Sequence, residues 1–358
     1  MLNPRQAVLQ MREYHPPLAG RAGLRLDFNE NTEGCSPRVL ERIRQITAED
    51  LARYPEREPV EGLVARHLGL LPEQVLLTNG VDEGIHLLCE TYLDAGDEVI
   101  IVAPTFGMYE VLAEATGARV VRVQEGGDFR FPLEATLRAI SDKTRLIAIA
   151  SPNNPTGSAT TREELLHIRD AAPNAAVLVD EAYYEFHGET VLPEVGAASN
   201  FFVARTFSKA YGLAGLRIGV VVGEVEQMKA VRRVSSPYNV NAVALLAVPA
   251  ALQDGEYVAA YAAQVKRGRA RVYQVLDRRG IRYWPSQANF VLFYVGERHR
   301  DFVEAMRQRG ILVRDRSADP GCDGCVRITI GTHAQMNEAL PAMEQVLAEL
   351  QVSKAVSA

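Results

Sequence analysis

The sequence predicts an α/β fold: a mostly parallel, seven-stranded sheet flanked by helices, with a smaller α+β unit beside it. Two patterns carry this expectation. Between about residue 70 and residue 225, short β-branched apolar runs alternate with longer helical segments, as they do when helices wind around a parallel sheet. From Asn241 onward the pattern turns helical and then returns to strand-like runs interleaved with helices.

In order along the chain, the candidate strands of the large sheet are Val75–Thr78, Glu98–Val102, Arg119–Val123, Arg145–Ile149, Ala176–Asp180, Phe201–Arg205 and Arg217–Val222. Most are apolar along their length, as strands covered on both faces should be. Helices follow at Ala242–Leu252 and Tyr257–Arg279, where apolar side chains recur every three or four residues. The smaller unit has strand-like runs at Asn289–Tyr294, Ile311–Val313 and Val326–Ile330, and helices at Arg300–Arg309 and Gln335–Leu350. Residues 1–30 are too few to fold alone and are expected to pack onto it. The division expected is a large domain over 31–245 and a small domain from 1–30 plus 246–358, with a frayed tail after Val352.

Composition excludes several classes of function. Of 358 residues, 23 % are charged and 47 % hydrophobic, and the net charge of −6 leaves no basic face for nucleic acid. No run approaches eighteen apolar residues, and the N-terminus has no leader-like pattern, so a cytoplasmic location without a membrane partner is expected. An acidic chain that binds anions must use a few placed arginines and helix N-termini, because its overall field repels them. Cys322 and Cys325 form a lone CxxC without a second Cys or His pair. It reads as ordinary thiols in a turn, with a local disulfide or a metal as alternatives, and no metal site is expected.

In an open parallel sheet, ligands bind beyond the carboxyl ends of the strands, and chemistry-bearing residues stand there in loop after loop. Thr206–Gly219 holds Ser208, Lys209 and Arg217 among glycines. Lys209 can form a Schiff base with an aldehyde, and Ser208 and Arg217 can hold a phosphate; pyridoxal phosphate carries both groups. A surface turn with an incidental lysine is the bland alternative. After the strand at 75, Asn79–Glu83 opens a helix whose free N–H groups suit a phosphate, although Asp82 and Glu83 also serve as plain caps. After the strand at 98, Phe106 sits in a loop where a ring could stack on a pyridine or merely fill core. Ser151–Gly157 is a rigid turn that could present the amide of Asn154 to a phenolate oxygen. Asp180 ends an apolar strand, and a protonated pyridine nitrogen would supply the partner that a buried carboxylate needs. A strand-end cap or a salt bridge is its alternative.

Taken together, these strings resemble a fold-type-I pyridoxal-phosphate aminotransferase, and specifically the histidinol-phosphate aminotransferase family. The resemblance runs over nearly the whole chain. Further matching strings are Tyr54-Pro55, Pro104–Tyr109, Val179–Tyr183, Asn239-Val240-Asn241, Ser286–Val291, Val313-Arg314-Asp315 and Val326–Gly331. It implies pyridoxal 5'-phosphate as cofactor, with Lys209 as the Schiff-base lysine, Asp180 paired with the pyridinium, and Asn154 and Tyr183 at the phenolate oxygen. Phe106 would lie over the ring, where family members often carry Tyr. The phosphate would be held by Ser208, Arg217, the backbone of Gly80, Val81 and Asp82, and Tyr54 from a partner subunit, which implies a homodimer. Arg327, Arg314 and Tyr14 would bind substrate. The implied reaction converts L-histidinol phosphate and 2-oxoglutarate to imidazole-acetol phosphate and L-glutamate, by ping-pong kinetics, in histidine biosynthesis. Alternatives are an aromatic amino acid aminotransferase, a threonine-phosphate decarboxylase, or a binding protein that keeps the fold without catalysis. The joint presence of Lys209, Asp180, Asn154 and Arg217 argues against the last.

Overall fold

The computed structural model describes residues 2–11, 13, 20–124 and 126–352. Seven strands build the central sheet: β2 (Val75–Thr78), β3 (Glu98–Ala103), β4 (Arg119–Gln124), β5 (Thr144–Ala150), β6 (Ala176–Asp180), β7 (Phe201–Thr206) and β8 (Gly219–Val222). Their order is β2-β8-β7-β6-β5-β3-β4. Every residue of β2, β3, β6 and β8 is buried, as expected where helices cover both faces. The edge strand β4 is the exception: Arg119, Arg122 and Gln124 are exposed, and charge along an edge blunts it against pairing.

One strand runs against the others. β8 is antiparallel to both β2 and β7, while the remaining pairs are parallel. The cause is the connection between β7 and β8, which has no crossover α-helix and only a short 3-10 turn at Ala214–Leu216; a parallel return needs a longer crossover. That same connection carries Ser208, Lys209 and Arg217. It therefore lies at the carboxyl end of β7 and the amino end of β8, beside the end of β2, with Gly219 in register with both Thr78 and Thr206.

The smaller sheet has the order β12-β13-β10-β9, all antiparallel, from β9 (Tyr283–Trp284), β10 (Phe290–Tyr294), β12 (Arg314–Asp315) and β13 (Cys325–Thr329). The helices Gly255–Arg279 and His333–Glu349 supply much of its core, with Tyr261, Phe290, Phe293, Phe302 and Met336 fully enclosed. β1 (Leu24–Arg25) pairs in parallel with β11 (Ile311–Leu312), tying the N-terminal segment to this unit. Residues 5–10 instead lie against the helix Met108–Thr116, where the Arg5 guanidinium donates to the carbonyl of Ala115; the helix Gln6–Gln10 buries no side chain that could join the smaller core. The expected break between residues 245 and 246 falls inside the helix Ala242–Leu252. Its buried Ala244, Leu245, Ala247, Val248 and Ala251 all belong to the core of the large sheet.

Cys322 and Cys325 are buried free thiols on a turn closed by Cys325 N–H donating to the Cys322 carbonyl at 2.8 Å. They pack with Phe129, Trp284 and Leu292. Among the described residues, no helix is long and apolar enough to cross a membrane.

Candidate active site

A cavity of about 400 Å³ opens where the strand ends of the large sheet face the smaller sheet and the segment Asp27–Glu30. Val81, Asp82, Phe106, Asn154, Asp180, Tyr183, Ser208, Lys209, Arg217, Arg314 and Arg327 all line it. Gly80 stands just behind, against Arg217. Tyr54 does not line the cavity: it is 77 % exposed and stacks on Tyr238, ring centroids 4.3 Å apart. Tyr14 lies outside the described residues.

At one end, the helix Gly80–Tyr92 begins with no side chain capping its first turn, so its N–H groups and positive dipole end face the cavity rim. Arg217 reaches over this end and donates to Asp82 Oδ2 at 2.8 Å. Two glycines permit the approach. A Cβ on Gly219 would come within 2.8 Å of the Gly80 and Val81 backbone, and one on Gly80 within 2.6 Å of the Arg217 guanidinium. Gly80 also has φ +76°, so Gly80→Ala meets both a clash and a left-handed backbone. We expect urea denaturation of this variant to show a loss of about 1–2 kcal/mol.

In the middle, Lys209 is partly accessible through the cavity, and its Nζ donates to the Phe28 carbonyl at 3.3 Å. Burial, followed by the positive charge of Arg327, pushes its amine down to about 8. Asp180 ends β6 at the foot of the cavity and is 5 % exposed. Its Oδ2 accepts from the Tyr109 hydroxyl at 2.6 Å and its Oδ1 from Ala182 N–H at 3.0 Å. Burial still raises it to about 6. The Tyr183 ring packs edge-on against Phe290, and its hydroxyl accepts from Asn29 Nδ2 at 2.9 Å. Phe106 meets Tyr109 edge to face at 5.8 Å.

At the far end, Arg314 and Arg327 stand directly opposite each other on the antiparallel strands β12 and β13. Arg327 is 4 % exposed; its Nη2 donates to the Asp27 carbonyl at 2.6 Å, its Nη1 donates to Asn154 Oδ1, and its Nε is buried without a partner. It forms no ion pair with a carboxylate among the described residues. Burial, then the like charges of Arg316 and Arg314, pull it down to about 9. Arg314 and Arg21 both lie over the Phe28 ring, at 5.2 and 4.2 Å. Arg316 also lines this end and pairs with Asp319.

Four features here escaped the sequence reading. Arg316 is two residues after Arg314 and so on the same side of an extended segment, a spacing visible in the sequence. Tyr109 follows Phe106 by three, the spacing of neighbours on one helical face. Asn29 and the carbonyls of Asp27 and Phe28 carried no signal, because their partners are far away in sequence and the carbonyls are common to every residue.

The amine, the acid at its strand end and the convergent arginines are what amino-group transfer between anionic substrates requires. Comparison with known proteins agrees. The family model for aminotransferases of class I and II matches residues 21–343. A histidinol-phosphate aminotransferase of Geobacillus sp. (strain WCH70) is 35 % identical, covering 92 % of this chain and 91 % of the relative. One from Moorella thermoacetica is 33 % identical over 96 % and 93 %. Among solved structures, histidinol-phosphate aminotransferase from Sinorhizobium meliloti, in complex with pyridoxal-5'-phosphate, superposes with a TM-score of 0.88 at 27 % identity, covering 96 % of this chain and 97 % of that one. The chain belongs to the class I and II aminotransferases and, within them, to the histidinol-phosphate aminotransferase family.

Proposed function

We propose that this protein transfers the amino group of L-histidinol phosphate to 2-oxoglutarate, giving imidazole-acetol phosphate and L-glutamate in histidine biosynthesis, with pyridoxal 5'-phosphate as its cofactor. The observation that carries the substrate assignment is the pair Arg314 and Arg327, facing each other across two antiparallel strands with Arg316 beside them. Like charges directly opposite in a sheet repel, and Asp319, which also lines that end, pairs with Arg316. Asp27 and Glu30, nearer the middle, are bound by Arg21. A phosphate monoester brings close to two negative charges and three acceptor oxygens, and guanidinium forks suit it. The side chain of phenylalanine or tyrosine brings no charge for these guanidinium groups to bind.

The residues present fit the cofactor. The cradle at Gly80, which a Cβ would fill, the uncapped helix start and Arg217 suit its phosphate. Asp180 suits its ring nitrogen, Phe106 its ring face, and Asn154 and Tyr183 its phenolate oxygen. When bound, pyridoxal phosphate supplies the aldehyde that takes the amino group and the ring that withdraws electrons from the substrate Cα. Lys209 Nζ is the base that takes the proton from that carbon, and Phe28 O holds the amine close to it. Arg327 receives the α-carboxylate of glutamate in one half-reaction and, with Arg314 and Arg316, the phosphate in the other. Tyr54 and Tyr238 form an exposed aromatic stack near exposed Leu51 in the sequence, which supports a homodimer in which Tyr54 reaches a partner's phosphate site. The cytoplasm is the proposed location.

Two measurements test this reading. In a panel of histidinol phosphate, phenylalanine, tyrosine and threonine phosphate, each with and without 2-oxoglutarate, we expect turnover to be highest for histidinol phosphate and to require the oxo acid. Higher kcat/KM for phenylalanine would transfer the assignment to an aromatic aminotransferase, and carbon dioxide release from threonine phosphate would make it a decarboxylase. The second concerns Lys209. Its amine, lowered to about 8, is cationic below that pH and nucleophilic above it. The rate at which ligand-free protein takes up pyridoxal phosphate should therefore rise with pH and level off above about 8, followed by stopped-flow absorbance.

A further inference from the structure

Asp180 would be the acid that keeps the cofactor's ring nitrogen protonated, and the chain holds that acid in place from a neighbouring loop. Tyr109, 1 % exposed, sits in the first turn of the helix Met108–Thr116, which follows β3, two positions from β6 in the sheet. Its hydroxyl donates to Asp180 Oδ2 at 2.6 Å, while Ala182 N–H fixes Oδ1. A hydrogen bond this short to a carboxylate is of the strong, charge-assisted kind. For filling space alone, phenylalanine would serve as well, without the cost of burying a hydroxyl.

We propose that Tyr109 is a positioning residue for the reaction: its hydroxyl holds the Asp180 carboxylate ionised and in one orientation, so that the carboxylate can keep the ring nitrogen charged. The inference rests on the pyridoxal-phosphate reading above. The surroundings oppose an ionised Asp180. Burial is the largest influence raising it, and the like charges of Asp82, from the helix Gly80–Tyr92, and of neighbouring Glu181 add to this. Tyr109 is the foremost group acting the other way, ahead of the Ala182 N–H. Tyr183 also stands near, but burial raises its phenol and keeps it neutral. Tyr109 keeps its own proton for the same reason, since burial and then Asp180 push it well above the usual tyrosine range. It is thus a donor at any working pH. Without it the carboxylate becomes the more basic partner, and the proton shared with the ring nitrogen moves toward oxygen.

The test loads wild type and Tyr109→Phe with pyridoxal phosphate labelled with nitrogen-15 in the ring and records the nitrogen resonance of each holoenzyme. Tyr109→Phe keeps the ring that packs on Phe106. The expected result is a resonance displaced from the protonated toward the unprotonated position, with kcat lowered about tenfold and KM for both substrates nearly unchanged. Made in an Asp180→Asn background, Tyr109→Phe should cause no further loss. An unchanged nitrogen resonance, or the same fold loss with and without Asp180, would overturn the inference. A wild-type protein that takes up no pyridoxal phosphate would overturn the functional reading and remove the inference's basis with it.

Discussion

Lys209→Ala is expected to lower kcat by at least about 10³-fold, the scale of removing a positioned base, with the loss of covalent attachment added to it. Among the described residues, Lys209 alone lines the cavity with an amine, and its Nζ donates to the Phe28 carbonyl. Borohydride treatment followed by mass spectrometry should fix pyridoxal phosphate to the wild-type chain at Lys209 and leave the variant unmodified. Stability separates this from a folding defect. The folded chain lowers the amine from 10.5 to about 8, so the folded state binds the proton less tightly than the unfolded one. Below about pH 8 both states carry the charge, and the folded state bears the cost of enclosing it; this cost fades as pH rises from about 8 toward 10.5. Removing the amine should therefore leave the Tm of ligand-free protein at pH 7 unchanged or higher. Full activity in Lys209→Ala, or a fall in Tm that accounts for the lost turnover, would remove Lys209 from the reaction.

The large sheet was legible because its strands are short apolar runs bounded by turn residues, the pattern that full burial imposes. β2 and β6 begin and end where the sequence suggests, with every residue buried. The direction of β8 was not legible, because direction depends on how the preceding connection closes in space and not on the apolar content of Gly219–Val222. Arg217 is placed at the start of that strand by the apolar run alone. It instead takes a left-handed conformation, φ 51°, just before it, and this turn aims its guanidinium at the helix start. The site shows the same division. Asp180 ends a strand, Lys209 and Asn154 lie in the loops that follow strands, and strand ends converge by rule in such folds. Asn29 donates to Tyr183, 154 residues away, and its backbone N–H donates to Thr329, 300 residues away. Its role depends on the N-terminal segment crossing the cavity between the two sheets, a long-range placement that no local pattern encodes. β11 and β12 make a similar point. A single strand, Ile311–Val313, was expected, but the chain leaves one sheet after Leu312 and enters another at Arg314. That switch is what sets Arg314 opposite Arg327.

Arg327→Gln is expected to lower kcat/KM for histidinol phosphate and for 2-oxoglutarate together, by about 10²–10⁴, as the loss of two charge-assisted hydrogen bonds would. Its position explains why one side chain should serve both substrates: Nη1 and Nη2 are oriented by Asn154 and the Asp27 carbonyl, and its Nε is buried unpartnered. The effect on the ligand-free protein should run the other way. Burial and the neighbouring Arg316 and Arg314 lower the guanidinium from 12.5 to about 9, so at pH 7 the folded state carries a charge that its surroundings disfavour. A neutral amide removes this burden, and Tm without ligand should hold or rise. Inorganic phosphate reverses the ranking, because an anion that binds only the folded state stabilises it by mass action. Wild type should therefore gain Tm with added phosphate, at constant ionic strength, while Arg327→Gln gains much less. Equal gains would mean that phosphate settles elsewhere, at Arg217 and the start of the helix Gly80–Tyr92. Repeating the titration with the pyridoxal-phosphate-loaded protein, where that other anion site is filled, leaves the arginines at β12 and β13 as the ones being read.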